Sequence, residues 1–323
     1  MPKILVIGAT GYLGSRLCGF LVQTGLHRVY GIARAPEKAK GLALSEVTPI
    51  LCPDPVNEPS PYLTAIQEHN IDIVVDVAGA DAQSAKFLAD VADIGRQRLE
   101  RFAAAGIPNG PKLGFIYCSG SWVHGSSNKL VNDLDIVGAE GSLAPPPLIA
   151  WRVAFEKTVH AASSTLAVAV VRPALIYGRE NTIWTSYLLP LLQASRENTA
   201  PRVEIPLDPR SRAGLIHVDD AATGIQAVIE QLDQIAATTY PVFDLVTSQE
   251  SMRDVFEAAA AAWGYTGAVE LVGHGGDAFH EAMSTTFNGS SARARQLLGW
   301  QPRRVNGMVA DMEVYAAAFA SQH

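Results

Sequence analysis

Cysteine is scarce. The three residues Cys18, Cys52 and Cys118 are odd in number and lack metal-ligand spacing, which argues against a disulfide framework and against a zinc site. Charge is scarce too, at 18% of 323 residues, where an ordinary soluble domain carries about 25%. Positive charge is the scarcer sign: 25 Lys and Arg face 32 Asp and Glu, for a net charge of −7. No Lys/Arg run interrupts the chain, so the basic stripe of a nucleic-acid binder is missing. Long apolar stretches are missing as well. The longest, Val314 to Ala320, has seven residues, whereas a membrane span needs roughly 20. The opening MPKILVIGATGYLG places one Lys before four apolar residues and then glycines, which is not the shape of a signal peptide. The expectation is a soluble chain in the reducing cytoplasm. Its partner would be a small molecule, with no nucleic acid, no membrane and no metal.

Apolar residues, at 48%, are plentiful enough for a substantial core. Short β-branched runs alternate with helical patterns through the first half, the signature of a parallel sheet flanked by helices. The runs are 3–7, 28–33, 47–52, 71–78, 113–118 and 167–172, with helices over about 12–24, 82–105 and 149–163. Near-continuous apolar strands suit a sheet covered on both faces. The predicted fold is α/β, a doubly wound parallel (Rossmann) sheet with a smaller C-terminal substrate lobe. Residues 1–173 form the dinucleotide-binding domain, 215–246 return to the sheet, and 174–214 with 247–323 form the lobe.

The segment GATGYLG follows the first strand and opens the first helix. Glycines there allow a tight turn and close approach to a pyrophosphate, and the helix N-terminus offers free N–H groups. Gly8, Thr10, Gly11, Tyr12, Leu13 and Gly14 are the candidate cofactor positions. An acid at the end of the second strand would select NAD and an Arg would accommodate a 2′-phosphate. The chain has Arg34, with Lys38 four residues on, so NADP(H) is favoured over NAD(H); a solvated loop is the competing reading of both.

These blocks resemble the short-chain dehydrogenase/reductase superfamily in its extended form, the NAD-dependent epimerase/dehydratase-like family. Asp54 resembles the acid beside the adenine, and VDVAGA (75–80), with Ala78 and Gly79, the fourth-strand segment lining the cofactor. FIYCSGSWVHG (115–125) is similar to the strand that carries the catalytic Ser or Thr. VRPALIYG (171–178), with Pro173, resembles the segment meeting the nicotinamide, and LIHVDDAATG (215–224) and SARARQLLGWQP (291–302) the C-terminal signatures. The resemblance also implies a possible homodimer. Its Tyr-x-x-x-Lys pair, however, is absent: Leu148 stands at the Tyr position and Arg152 at the Lys position, while Gly120, between Ser119 and Ser121, stands at the Ser/Thr position.

Three readings follow. The first is an NADP-dependent reductase of a small carbonyl or alcohol, with Ser119 or Ser121 orienting the substrate, His124 transferring the proton and Arg152 clamping the cofactor. The second is a non-redox enzyme (isomerase, lyase or cyclase) on the same scaffold. The third is an NADP-sensing regulator. Asp219 reads as a helix-start acid rather than a metal ligand, and His274 and His280 as loop residues. Trp122, Trp151 and Trp184 read as cleft or core, and Arg212 as a substrate contact or a surface charge.

Overall fold

The computed structural model describes residues 1–79, 82–197 and 201–323; Ala80, the last residue of the fourth-strand motif, lies outside them. The apolar runs become strands and the amphipathic stretches become helices. In order they are β1 (Lys3–Ile7), α1 (Tyr12–Gln23), β2 (Arg28–Ala33), α2 (Pro36–Leu44), β3 (Thr48–Leu51), α3 (Ser60–Glu68), β4 (Ile73–Asp76) and α4 (Ala82–Ala104). They continue with β5 (Leu113–Cys118), β6 (Ser127–Asn132), α5 (Trp151–Ala161) and β7 (Leu166–Pro173).

The rest of the chain contributes β8 (Leu175–Tyr177), α6 (Thr185–Glu197), β9 (Arg202–Ile205), β10 (Arg212–His217), α7 (Val218–Thr238) and β11 (Val242–Leu245). Then follow β12 (Ser248–Ser251), α8 (Met252–Ala262), β13 (Ala268–Leu271), α9 (Ala278–Met283), β14 (Phe287–Ser290), α10 (Ala292–Leu298) and α11 (Met312–Ala320).

Seven strands form one sheet in the order β11-β7-β5-β4-β1-β2-β3, with every neighbouring pair parallel. This is the expected doubly wound α/β sheet. Alternation along each strand feeds both faces. Val6, Val75, Ile116 and Val171 meet Leu17 and Leu21 of α1 and Ile225, Val228 and Leu232 of α7 on one side. Leu5, Val74, Phe115 and Val170 meet Tyr62, Phe87, Val91, Phe155 and Val159 of α3, α4 and α5 on the other. A separate apolar cluster, including Trp184, Leu191, Phe256, Met308 and Phe319, lies around the three-stranded sheet β12-β10-β8. Within 215–246, α7 packs on the large sheet and β11 joins it, while β10 pairs in the small one.

The chain leaves β1 toward β2 and β3, then restarts at β4 on the other side. This reversal opens a crevice at the carboxyl ends of β1 and β4. Among the described residues no helix is long and apolar enough to cross a membrane.

Candidate active site

The glycine turn sits at that crevice. Gly8 has φ +89°, and a Cβ on it would come within 2.8 Å of the Ala78 backbone at the end of β4. A Cβ on Gly14 would lie 2.0 Å from the Gly8 carbonyl oxygen. Only glycine lets α1 press this closely onto the turn. Gly11 precedes α1 without a side-chain cap, and no acid occupies the first turn, so the N–H groups and their partial positive charge are open to an anion. Thr10 is half-buried at the turn. The Leu13 side chain belongs to the core beneath α1. The Tyr12 hydroxyl donates to the Gly178 carbonyl, joining the turn to the segment after β8.

Tyr12, Ala78, Gly79 and Pro173 line a cleft of about 510 Å³, together with the apolar residues Trp122, Ile149, Leu175, Ile176 and Ile183. Ser119, Ser121 and Arg152 line it too. The Ser119 hydroxyl is buried and has no hydrogen-bond partner among the described residues. Arg152 Nη1 donates to the Tyr117 hydroxyl oxygen at 2.6 Å and to the Cys118 carbonyl at 3.4 Å. Its guanidinium lies 4.8 Å from the centroid of the Trp151 ring, a cation–π distance. Burial pushes the Tyr117 hydroxyl above its usual range, against the opposing pull of Arg152. Burial likewise raises the carboxyl of Asp76, at the end of β4, which accepts from Ala78 N–H at 3.0 Å and the Ser84 hydroxyl at 2.8 Å. Leu148, at the missing Tyr's position, is exposed. Gly120 has φ −174°, an ordinary extended backbone.

His124 does not join the cleft lining. Its Nε2 is 2.8 Å from Asp244 Oδ2, and its ring stacks on Phe287 at 5.5 Å. That geometry corrects its expected place as proton donor to the substrate: the ring is held in a buried charged cluster. Arg172 lies at the centre, bound to Glu156 through Nε at 3.1 and 3.2 Å and Nη2 at 2.5 Å, with Asp244 Oδ1 3.7 Å away. Asp133 pairs with Arg293 at 3.1 Å and accepts from the Asp244 N–H. The sequence carried an unread signal for this cluster, since Arg172 and Asp244 are lone charges in the apolar strands LAVAVVRP and VFDL.

Other positions resolve as follows. Trp184 is fully buried, its Nε1 donating to the Ile176 carbonyl at 2.9 Å. His217 caps α7 by accepting from the Asp219 N–H at 3.1 Å. His280 packs on Tyr187, and His274 accepts from the Gly276 N–H at 3.3 Å. Arg212 is exposed. The Asp54 carboxylate is engaged by its own turn, accepting from the Val56 and Asn57 N–H groups and the Asn57 amide; the Asn57 bonds hold it below the usual carboxylate range.

Residues 4–242 match the model of the NAD dependent epimerase/dehydratase family. No curated protein matches the chain. Among solved structures, dTDP-glucose 4,6-dehydratase from Bacillus anthracis str. Ames, in complex with NAD, is 17% identical with a TM-score of 0.72, over 100% of this chain and 98% of that one. UDP-glucuronic acid 4-epimerase from Bacillus cereus, in complex with UDP-glucuronic acid and NAD, is 19% identical with a TM-score of 0.67, over 99% and 100%. A conserved protein of unknown function from Silicibacter pomeroyi DSS is 20% identical with a TM-score of 0.66, over 100% and 99%.

These findings overturn the preference for NADP(H) drawn from Arg34 and Lys38. The matching family is NAD dependent, and the dehydratase and epimerase structures hold NAD. Physically, Arg34 and Lys38 are both exposed, and Arg34 stands within the field of Asp54. Two solvated cations at a strand end do not by themselves make a phosphate pocket.

Proposed function

The chain belongs to the NAD dependent epimerase/dehydratase family, and from that premise we propose that it binds NAD at the glycine turn and carries out a redox-neutral isomerisation or elimination on a small molecule. The observation that supports this reading is the partnerless, buried Ser119 hydroxyl in a cleft shared by the glycine-turn side and the residues after β7. A buried hydroxyl without a partner is costly, and a bound oxygen would satisfy it.

The residues present fit the cofactor. The Gly8–Gly14 turn is a cradle that a Cβ would fill, α1 presents uncapped N–H groups, and Ala78, Gly79 and Pro173 line the adjoining cleft. When bound, NAD supplies a ring that accepts and returns a hydride. The chain's own groups hold the substrate: the Ser119 and Ser121 hydroxyls hydrogen-bond and orient it, and Arg152 balances negative charge on it. Arg152 stays protonated and moves no proton. The reductase reading is not favoured, because the similar structures of stated activity include a dehydratase and epimerases.

The test has two parts. Calorimetry is expected to show NAD binding that Gly14→Ala weakens at least about tenfold, since its Cβ meets backbone. Substrate turnover is expected without net growth of reduced-nicotinamide absorbance. Stoichiometric accumulation of reduced nicotinamide during turnover would return the reductase reading.

A further inference from the structure

The α5 end of the cleft restricts what can sit there. Arg152 Nη1 is occupied by the Tyr117 hydroxyl and the Cys118 carbonyl. Its Nε and Nη2 have no protein hydrogen-bond partner among the described residues, and Arg152 lines the cleft. Nε and Nη2 form the edge of a guanidinium that meets a carboxylate side-on with two parallel hydrogen bonds. Ser119, 7% exposed and partnerless, lines the same space. The apolar residues Trp122, Ile149, Leu175 and Ile183 line the same space.

The polar side chains of the lining, Ser119, Ser121, Thr182, Arg152 and Tyr12, are outnumbered by apolar ones and backbone. A ligand with one concentrated polar group and an apolar body therefore suits it better than a ring with hydroxyls all around its perimeter. Arg152 is the one Lys or Arg among the described residues that line the cleft, so it offers a place for one anionic group. We propose that the substrate is a small, otherwise apolar hydroxy acid with an aryl or branched-alkyl body. Its carboxylate lies on the Nε/Nη2 edge of Arg152, the Ser119 hydroxyl donates to the same group, and its apolar body packs on Trp122 and Ile183. This inference rests on the function proposed above for placing the substrate in this cleft, and it departs from the nucleotide sugar held by the Bacillus cereus epimerase.

The experiment is calorimetric titration of the full chain, with and without saturating NAD, using hydrocinnamate, isocaproate, the alcohol corresponding to hydrocinnamate, and UDP-glucose. Both acids are expected to bind. The alcohol, the Arg152→Gln variant and the Trp122→Ala variant are each expected to lose at least about tenfold in affinity, the first two because the bidentate pair is gone and the third because the apolar wall is cut back. Far-UV circular dichroism checks that both variants are folded. Should Arg152→Gln fail to fold, the acid–alcohol comparison and Trp122→Ala decide. UDP-glucose binding without acid binding, binding of neither class, or acid binding equally tight in a folded Arg152→Gln would each overturn the inference. Acid binding by a protein that shows no heat with NAD would sink the proposed function and leave this inference standing.

Discussion

Gly14 and Gly120 show how differently two glycines of one site respond to change. At Gly14 an added methyl lies 2.0 Å from the Gly8 carbonyl oxygen, so Gly14→Ala is expected to destabilise the chain by about 1–3 kcal/mol as well as weaken NAD. At Gly120 an added Cβ meets only the Pro173 carbonyl, at 3.9 Å, and the backbone is extended. Gly120→Ser is therefore expected to fold with stability within about 0.5 kcal/mol of the parent, measured by urea denaturation. The glycine turn was legible in the sequence because its spacing and its place after a strand carry the chemistry. His124 was not, because a motif position says nothing about which way a ring turns; Asp244, 120 residues away, decides that. Arg34 misled for a related reason: residue type alone cannot show whether a cation sits in a pocket or in water.

At the scale of elements, the buried pairs matter most. Arg172 ties β7 to Glu156 of α5 and faces Asp244 of β11. Removing one partner of such a pair leaves an uncompensated buried charge, so Arg172→Met is expected to cost about 3–5 kcal/mol, and Arg172→Met with Glu156→Gln less than the single change. A denaturation cycle over both sites checks the coupling. Helix α7 carries a pH dependence. Burial, aided by Arg304, Arg179 and Arg16 and opposed by Asp219, pushes His217 down from 6.5 to about 4. The neutral ring is the form that caps α7. Stability from this group is present above pH 6.5 and declines as pH falls, by at most about 1.4 kcal/mol per pH unit, with the loss complete near pH 4. His217→Asn, which keeps a capping side chain, is expected to flatten that slope; an unchanged slope would assign it to other groups. Six strands of the large sheet and the helices α1, α4 and α5 were legible from the alternation of apolar runs and helical patterns. The charged links between them were not, because they join positions far apart in sequence.

For the whole molecule, the cleft draws residues from both sides of Pro173, so a ligand there ties the two hydrophobic regions to one equilibrium. Saturation with NAD at 100 times its Kd is expected to stabilise the fold by about 2.7 kcal/mol, seen as an upward shift of a single thermal transition. Two transitions, with only one moving, would show that the regions unfold separately. The order of strands in the large sheet was readable as a class, since alternating patterns demand parallel crossovers. The role of β11 as the edge strand beside β7 was hidden, because nothing local in VFDL states which neighbour it pairs with.

That late edge bears on how the chain is made. Six of the seven strands are translated by Pro173, while β11 begins only at Val242. At roughly 5–20 residues per second, the nascent protein spends on the order of ten seconds with β7 as an open edge and Arg172 without its second acid. A hydrogen-bonding edge left bare for that long is a template for another chain. A protein truncated before β11 should accordingly accumulate on ribosome-bound chaperones during synthesis, and the full-length chain should leave them once Asp244 has emerged.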